Sequence, residues 1–157
     1  MQALVLCVGR LKEDWQRQAC AEYLKRLSRY GRFQVQEVDD QPEPAHAGPA
    51  LLRQTMDKEG AALLKHIRPE DRVAALCIQG QAPDSPGLAH LLEDWSDGRR
   101  LVLVIGGSLG LSEAVLRRAE HRLSFSRLTF PHPLMRVILL EQLYRACKIN
   151  AGERYHK

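Results

Sequence analysis

The sequence predicts an α/β fold, a mostly parallel sheet with helices on both faces, and three observations carry that expectation. Ala3–Val8 and Leu101–Ile105 are short and wholly apolar, as strands covered on both faces must be. These runs alternate with longer segments of helical period, so consecutive strands are joined by helical crossovers. Glycine stands where several of the runs end, at Gly9, Gly80 and Gly106. At 157 residues the chain is expected to form one domain, 1–157, able to bury roughly 70% of the surface its unfolded form exposes.

In order along the chain, Ala3–Val8 is a strand ending at Gly9. Asp14–Ser28 follows as a helix with Trp15, Ala19, Tyr23, Leu24 and Leu27 on its inner side. Phe33, Val35 and Val38 mark a half-buried second strand. Asp39–Pro49, with three prolines, is a loop. Leu51–Ile67 reads as an amphipathic helix, Arg72–Ile78 as a strand, Pro86–Trp95 as a helix and Arg100–Ile105 as the most apolar strand. Ser112 is suited to cap a helix running to about His121. A short strand near Leu123–Phe125 and a long helix from about Pro133 to Ile149 complete the pattern.

Composition narrows the class. Hydrophobic residues make up 45% and charged residues 27%, which argues against disorder of the whole chain. The net charge of +4 raises the prior for an anionic partner only slightly. Cys7, Cys20, Cys77 and Cys147 have no CxxC spacing, and Cys7, Cys77 and Cys147 sit in apolar runs, so the four read as small hydrophobes of a reducing compartment. The six histidines show neither HxxH nor HExxH spacing, and no metal site is expected. The start of the chain lacks a basic leader and a cleavage site, and no apolar run is long enough to span a bilayer. A soluble, cytoplasmic protein is the expectation.

Open parallel sheets bind ligands beyond the carboxyl ends of their strands. Two glycine sites fall there, Gly80 and the run Gly106-Gly107-Ser108-Leu109-Gly110, and the second is favoured because a helix follows it at once. GGSLG has neither dinucleotide-fingerprint nor Walker spacing, and such a loop is a tight turn about as often as a ligand site. Ser124–Pro133 offers hydroxyls, one arginine and a P-H-P turn, either a rigid connector or a pocket wall. In the last helix Glu141, Arg145 and Lys148 form one polar stripe beside Tyr144. By default Glu141 and Arg145 are a helix-surface ion pair worth about 0.2–0.5 kcal/mol. The preceding Leu134–Leu140, apolar nearly all round, points to burial or a subunit interface.

These pieces resemble the ribosomal RNA pseudouridine N3-methyltransferases, the RlmH family of the SPOUT superfamily. The likeness covers essentially the whole chain. It runs through Val8-Gly9-Arg10-Leu11-Lys12-Glu13, Asp57-Lys58-Glu59-Gly60 and Ile105-Gly106-Gly107-Ser108-Leu109-Gly110. It continues through Leu128-Thr129-Phe130-Pro131-His132-Pro133-Leu134-Met135-Arg136-Val137, Glu141-Gln142-Leu143-Tyr144-Arg145-Ala146 and Tyr155-His156-Lys157. The P-H-P-L-x-R-V run with E-Q-L-Y-R-A behind it is highly specific. Three positions depart from the family pattern: Cys77 stands where aspartate is usual, Leu109 where the loop is more polar, and Arg154 where proline or a small residue is common.

The resemblance implies a C-terminal trefoil knot, S-adenosylmethionine as methyl donor without a metal, and a homodimer. It also implies methylation of N3 of a pseudouridine in 23S rRNA of the assembled ribosome, with no DNA or membrane partner. By motif position the cofactor pocket would use Leu76, Gly107 and the segment Phe125, Ser126, Arg127, Leu128, Thr129 and Phe130. His132, Glu141, Arg145, Tyr155 and His156 are the catalytic candidates. Arg145 suits gripping a carbonyl or phosphate, and Tyr155 suits stacking on a base. Two rival readings stand beside this one, a ribosome-binding regulator without methyl transfer and a SPOUT enzyme for transfer RNA.

Overall fold

The structure, a computed structural model, describes every residue except Pro44, His156 and Lys157. The elements run β1 (Gln2–Val8), α1 (Asp14–Leu27), β2 (Arg32–Val38), α2 (Pro49–Leu64) and β3 (Arg72–Gln81). They continue with α3 (Ser85–Ser96), β4 (Arg100–Ile105), α4 (Glu113–Arg118), β5 (His121–Leu123) and α5 (His132–Asn150). The five strands form one sheet in the order β2-β1-β4-β3-β5, and every pairing is parallel, where a mostly parallel sheet was expected.

The two apolar runs lie side by side inside the sheet because they supply apolar side chains to both faces. Ala3, Val5 and Cys7 of β1 and Leu101, Leu103 and Ile105 of β4 pack under α1, α3 and α5. The alternate residues Leu4, Leu6, Val8, Val102 and Val104 pack under α2 and α4. β2, at the edge, shows the alternation of a half-exposed strand. Ser112 caps α4, its side chain accepting the Val115 amide hydrogen at 3.4 Å.

Three expectations need correction. Trp15 does not face the core: it is 53% exposed, whereas Cys20 and Leu27 are buried. It lies in the first turn of α1, soon after the chain leaves the carboxyl end of β1. β3 extends three residues past Ile78, and its pairing with β5 slips between Leu76 and Gln81. Gly80 therefore serves this irregularity and is not a ligand loop, since a Cβ there would sit 2.4 Å from the Leu123 backbone. β5 begins at His121 and ends at Leu123, so Ser124 and Phe125 already belong to the loop beyond it.

This topology fixes where a ligand can lie. β3 and β4 are neighbours, yet the chain leaves β3 for α3 on one face and β4 for α4 on the other. Connections that diverge in this way open a crevice at the carboxyl ends of the two strands.

Candidate active site at the carboxyl ends of β3 and β4

A cleft of about 140 Å³ occupies this crevice. Leu76, Cys77 and Ile78 from β3 form one side, and Ile105, Gly106, Gly107 and Gly110 from β4 and its loop form the other. Ser124, Phe125, Ser126, Leu128 and Phe130 make the outer wall, and His132 and Met135 of α5 close the end. A second hollow of about 310 Å³ adjoins it and shares Leu123, Ser124, Phe125 and Phe130. Together the two fall within the roughly 300–1,000 Å³ typical of small-molecule pockets.

The walls hold their shape through local hydrogen bonds. Gly110 donates its backbone N–H to the Gly107 carbonyl at 3.0 Å, which closes the glycine loop into a tight turn. Gly107 lines the cleft, but a side chain there would not enter it. A Cβ at Gly107 would lie 3.0 Å from Glu59 Oε2 and 3.1 Å from Val8 Cγ1, on the core side. In the outer wall, Ser126 Oγ accepts the Leu128 N–H at 2.9 Å and Ser124 Oγ donates to the Ser126 carbonyl at 3.0 Å. Those bonds present Leu128, 71% exposed, on the rim opposite Ile78, 60% exposed.

Six of the eight expected cofactor residues line this cleft: Leu76, Gly107, Phe125, Ser126, Leu128 and Phe130. Arg127 and Thr129 do not, and both are exposed on the outer side of the wall. Cys77, Ile78, Ile105 and Met135 were missed as lining residues. Cys77 is also only half-buried, unlike Cys7, Cys20 and Cys147. The usable signal was position, since Ile105 ends the most apolar strand and Cys77 follows Leu76 on β3.

The catalytic candidates divide into two groups. His132 stands in the cleft, and burial lowers its pKa from the ordinary 6.5, with Arg136 acting in the same direction. Its imidazole is therefore neutral at neutral pH and free to accept a proton. Glu141, Arg145 and Tyr155 form a separate cluster. Glu141 Oε1 accepts from Arg145 Nη2 at 2.7 Å and from the Tyr155 hydroxyl at 3.1 Å. The Tyr155 ring packs edge-on against Tyr144 at 5.0 Å, and the Arg145 guanidinium lies 4.7 Å from its centroid. Burial and the bond to Glu141 push the Tyr155 phenol up to about 12, so it stays protonated. Nine residues of helix separate His132 from Glu141, about 14 Å along the axis, and within one chain the groups do not meet. His156 lies outside the described residues.

Arg136, one turn beyond His132, has 1% exposure despite its charge. It donates to Glu37 of β2, and through Nη2 to the Gly9 carbonyl at 2.9 Å. These bonds fasten the start of α5 to the carboxyl ends of β1 and β2.

The site suits a ligand with a flat apolar part and peptide-like polar edges. Exposed Ile78 and Leu128 are apolar surface that such a group would cover, and the irregular Ser124–Phe130 backbone supplies donors and acceptors beside it. Among the described residues no group of histidine, cysteine, aspartate or glutamate is placed to hold a metal ion. No helix among them is long and apolar enough to cross a membrane.

Comparison with known proteins agrees with this geometry. Residues 1–156 match the family model described as "Predicted SPOUT methyltransferase". The chain is 51% identical over 159 residues to "Ribosomal RNA large subunit methyltransferase H" of Bifidobacterium adolescentis, covering all of both chains. Proteins of the same name from Bifidobacterium animalis subsp. lactis and Clostridium novyi are 52% identical, over 98% of both chains, and 49% identical, over all of both chains. A parallel α/β sheet with its cleft at a topological switch point, matched from end to end by these proteins, identifies the chain as a member of the SPOUT methyltransferase family.

Proposed function

We propose that this protein is a single-domain cytoplasmic enzyme that transfers a methyl group from S-adenosylmethionine to N3 of a pseudouridine in 23S rRNA of the assembled ribosome. The observation that carries the reading is the position of His132, at the end of a cleft whose other walls are a glycine loop and an irregular backbone segment. The printed names of the full-length relatives support ribosomal RNA of the large subunit as the substrate class.

Leu76, Ile78, Ile105, Phe125, Leu128 and Phe130 would hold the adenosine part of the cofactor, with backbone groups of Gly106–Gly110 and Ser124–Phe130 fixing its polar edges. When bound, S-adenosylmethionine supplies an electrophilic methyl carbon on sulfur. The residues then have mainly to align it with the base and exclude water. His132, at the end of the cleft, would accept the N3 proton of the base, so that the nitrogen need not carry a positive charge once methylated. Arg145, oriented by Glu141, presents a fork of donors to a base carbonyl or phosphate. Tyr155, held on Tyr144, presents a ring edge and a hydroxyl for stacking or positioning.

A homodimer belongs to the same proposal. Leu134, Met135, Val137 and Ile138 stay only half-buried in the single chain, an apolar stretch that a second copy would cover. Dimerisation would also bring the Glu141–Arg145–Tyr155 cluster of one protomer toward the cleft of the other, which the separation of about 14 Å along one helix does not allow. We take the C-terminal part to be threaded as the family's trefoil knot. The return of the chain from the β5 edge to Gly9, across the strand ends, supports that view.

The test is direct. The protein is incubated with radiolabelled S-adenosylmethionine and, separately, with 70S ribosomes, free 50S subunits and transfer RNA. Label in 23S rRNA of 70S ribosomes, mapped to one pseudouridine, is the expected result. Label in transfer RNA would replace the substrate, and no label with retained ribosome binding would turn the reading to a non-catalytic regulator.

A further inference from the structure

One sequence motif has no part in the cleft as described: Glu59-Gly60, on the buried side of α2. Glu59 is 5% exposed, a carboxylate among apolar neighbours, and such a group is costly to keep without full hydrogen bonding. Its Oε1 accepts the Gln41 backbone N–H at 2.9 Å, whereas its Oε2 is buried without a partner among the described residues. The glycine loop approaches that oxygen, for a Cβ on Gly107 would lie 3.0 Å from Oε2 and 3.4 Å from Oε1. The next residue completes the arrangement. A Cβ on Gly60 would lie 2.1 Å from Ser112 Oγ, so α2 also presses on the far end of the same loop. Two adjacent residues of one helix thus touch both ends of the segment 106–112.

The linker between β2 and α2 meets the same loop. Besides the Gln41 bond to Glu59, Ser108 Oγ donates to Glu43 Oε2 at 3.3 Å. Burial raises the Glu59 carboxyl above its usual range, the Gln41 amide opposes this and Asp40 adds to it, so the group is held in a state that a further donor would relieve.

We propose that Glu59 is a positioning residue for the cofactor loop: Oε1 anchors the linker, and Oε2 accepts a backbone N–H of the 106–110 loop when the methyl donor seats. The inference rests on the assignment of S-adenosylmethionine to the cleft. It explains why a carboxylate is retained in a core where an apolar residue would pack at lower cost. It also explains why position 107 excludes a side chain even though none would enter the cleft.

Glu59→Gln tests it, because the amide nearly matches the carboxylate in shape but offers one acceptor and one donor. Either the linker or the loop then faces a donor where it needs an acceptor. Three measurements are made on wild type and variant: calorimetric binding of S-adenosylmethionine, melting of the ligand-free protein, and amide hydrogen exchange with and without cofactor. We expect affinity to fall about tenfold or more, as for the loss of one charge-assisted hydrogen bond. Ligand-free melting should be unchanged or higher, since a desolvated charge has been removed. In wild type the cofactor should slow exchange in both 39–43 and 106–110, and in the variant in only one of them. Affinity within twofold of wild type would overturn the proposal. So would a parallel fall in affinity and melting temperature, which a purely structural carboxylate produces. If wild type itself binds no S-adenosylmethionine, the cofactor assignment fails first and this inference with it.

Discussion

Replacing Arg136 with methionine tests the packing that sets His132 at the end of the cleft. The guanidinium has 1% exposure and makes two charge-assisted hydrogen bonds, to Glu37 and to the Gly9 carbonyl, while its Nε has no partner among the described residues. Each such bond contributes about 1.5–3 kcal/mol, and breaking a buried pair by removing one partner costs about 3–5 kcal/mol. Methionine fills most of the volume, so the cavity adds little. Glu37 keeps a side-chain exposure of 34% and accepts the Leu11 N–H at 3.4 Å, so water recovers part of its loss, but the Gly9 carbonyl is left buried. The net expectation is a loss of about 3 kcal/mol, and at roughly 2–4 °C per kcal/mol the melting temperature falls by about 6–12 °C. Urea denaturation at fixed protomer concentration measures it, because dimerisation would make the midpoint depend on concentration. Arg136→Lys, which keeps one donor group in reach, should fall between the two. A loss below about 1 kcal/mol for Arg136→Met would refute the view that this residue holds the strand ends to α5.

S-adenosylmethionine at a hundredfold excess over its dissociation constant should stabilise the native protein by about 2.7 kcal/mol, equally with and without a chelator; a shift that a chelator abolishes would contradict a metal-free site. Single-turnover methylation should lose rate in acid with a midpoint below 6.5, because burial lowers the His132 pKa, and His132→Ala should remove that limb. The same shift has a stability sign: the unfolded chain takes up the proton near 6.5 and the native state only at lower pH, so stability declines as pH falls through the interval beneath 6.5. Deleting residues 152–157 should abolish ribosome methylation and leave cofactor affinity within twofold. It should also lower the melting temperature, because Tyr155 packs on Tyr144 and Glu153 accepts from Tyr30 and Lys148; full activity in the truncated protein would show that the tail has no part in methylation. Sedimentation at micromolar concentration should give twice 17.8 kDa, and a monomer alone would remove the composite site.

What the sequence by itself determined was whatever depends on neighbours along the chain. The runs Ala3–Val8 and Leu101–Ile105 had to be central strands, since every side chain in them is apolar whichever face it meets. Ser112 had to start α4, and the P-H-P turn had to start α5, because capping and proline geometry act within a few residues. The glycine loop after the last central strand borders the cleft, although in the sequence it read equally as a tight turn. Periodicity, by contrast, reports spacing and not what stands opposite. Trp15 carries the right spacing for the inner face of α1, but the sheet ends before it and the side chain meets water. Gly107 reads as room for a ligand, and only the approach of Glu59 from α2 shows that the excluded side chain would point into the core. Arg136 breaks an apolar helix in the sequence; its partners, Gly9 and Glu37, are 127 and 99 residues away and reach it only through the tertiary fold. His132 and Glu141 share one helix, yet a rise of about 1.5 Å per residue holds them apart. Contacts of that kind are set by strand order, and strand order is chosen by the sum of burial over the whole chain, which no local stretch of sequence contains.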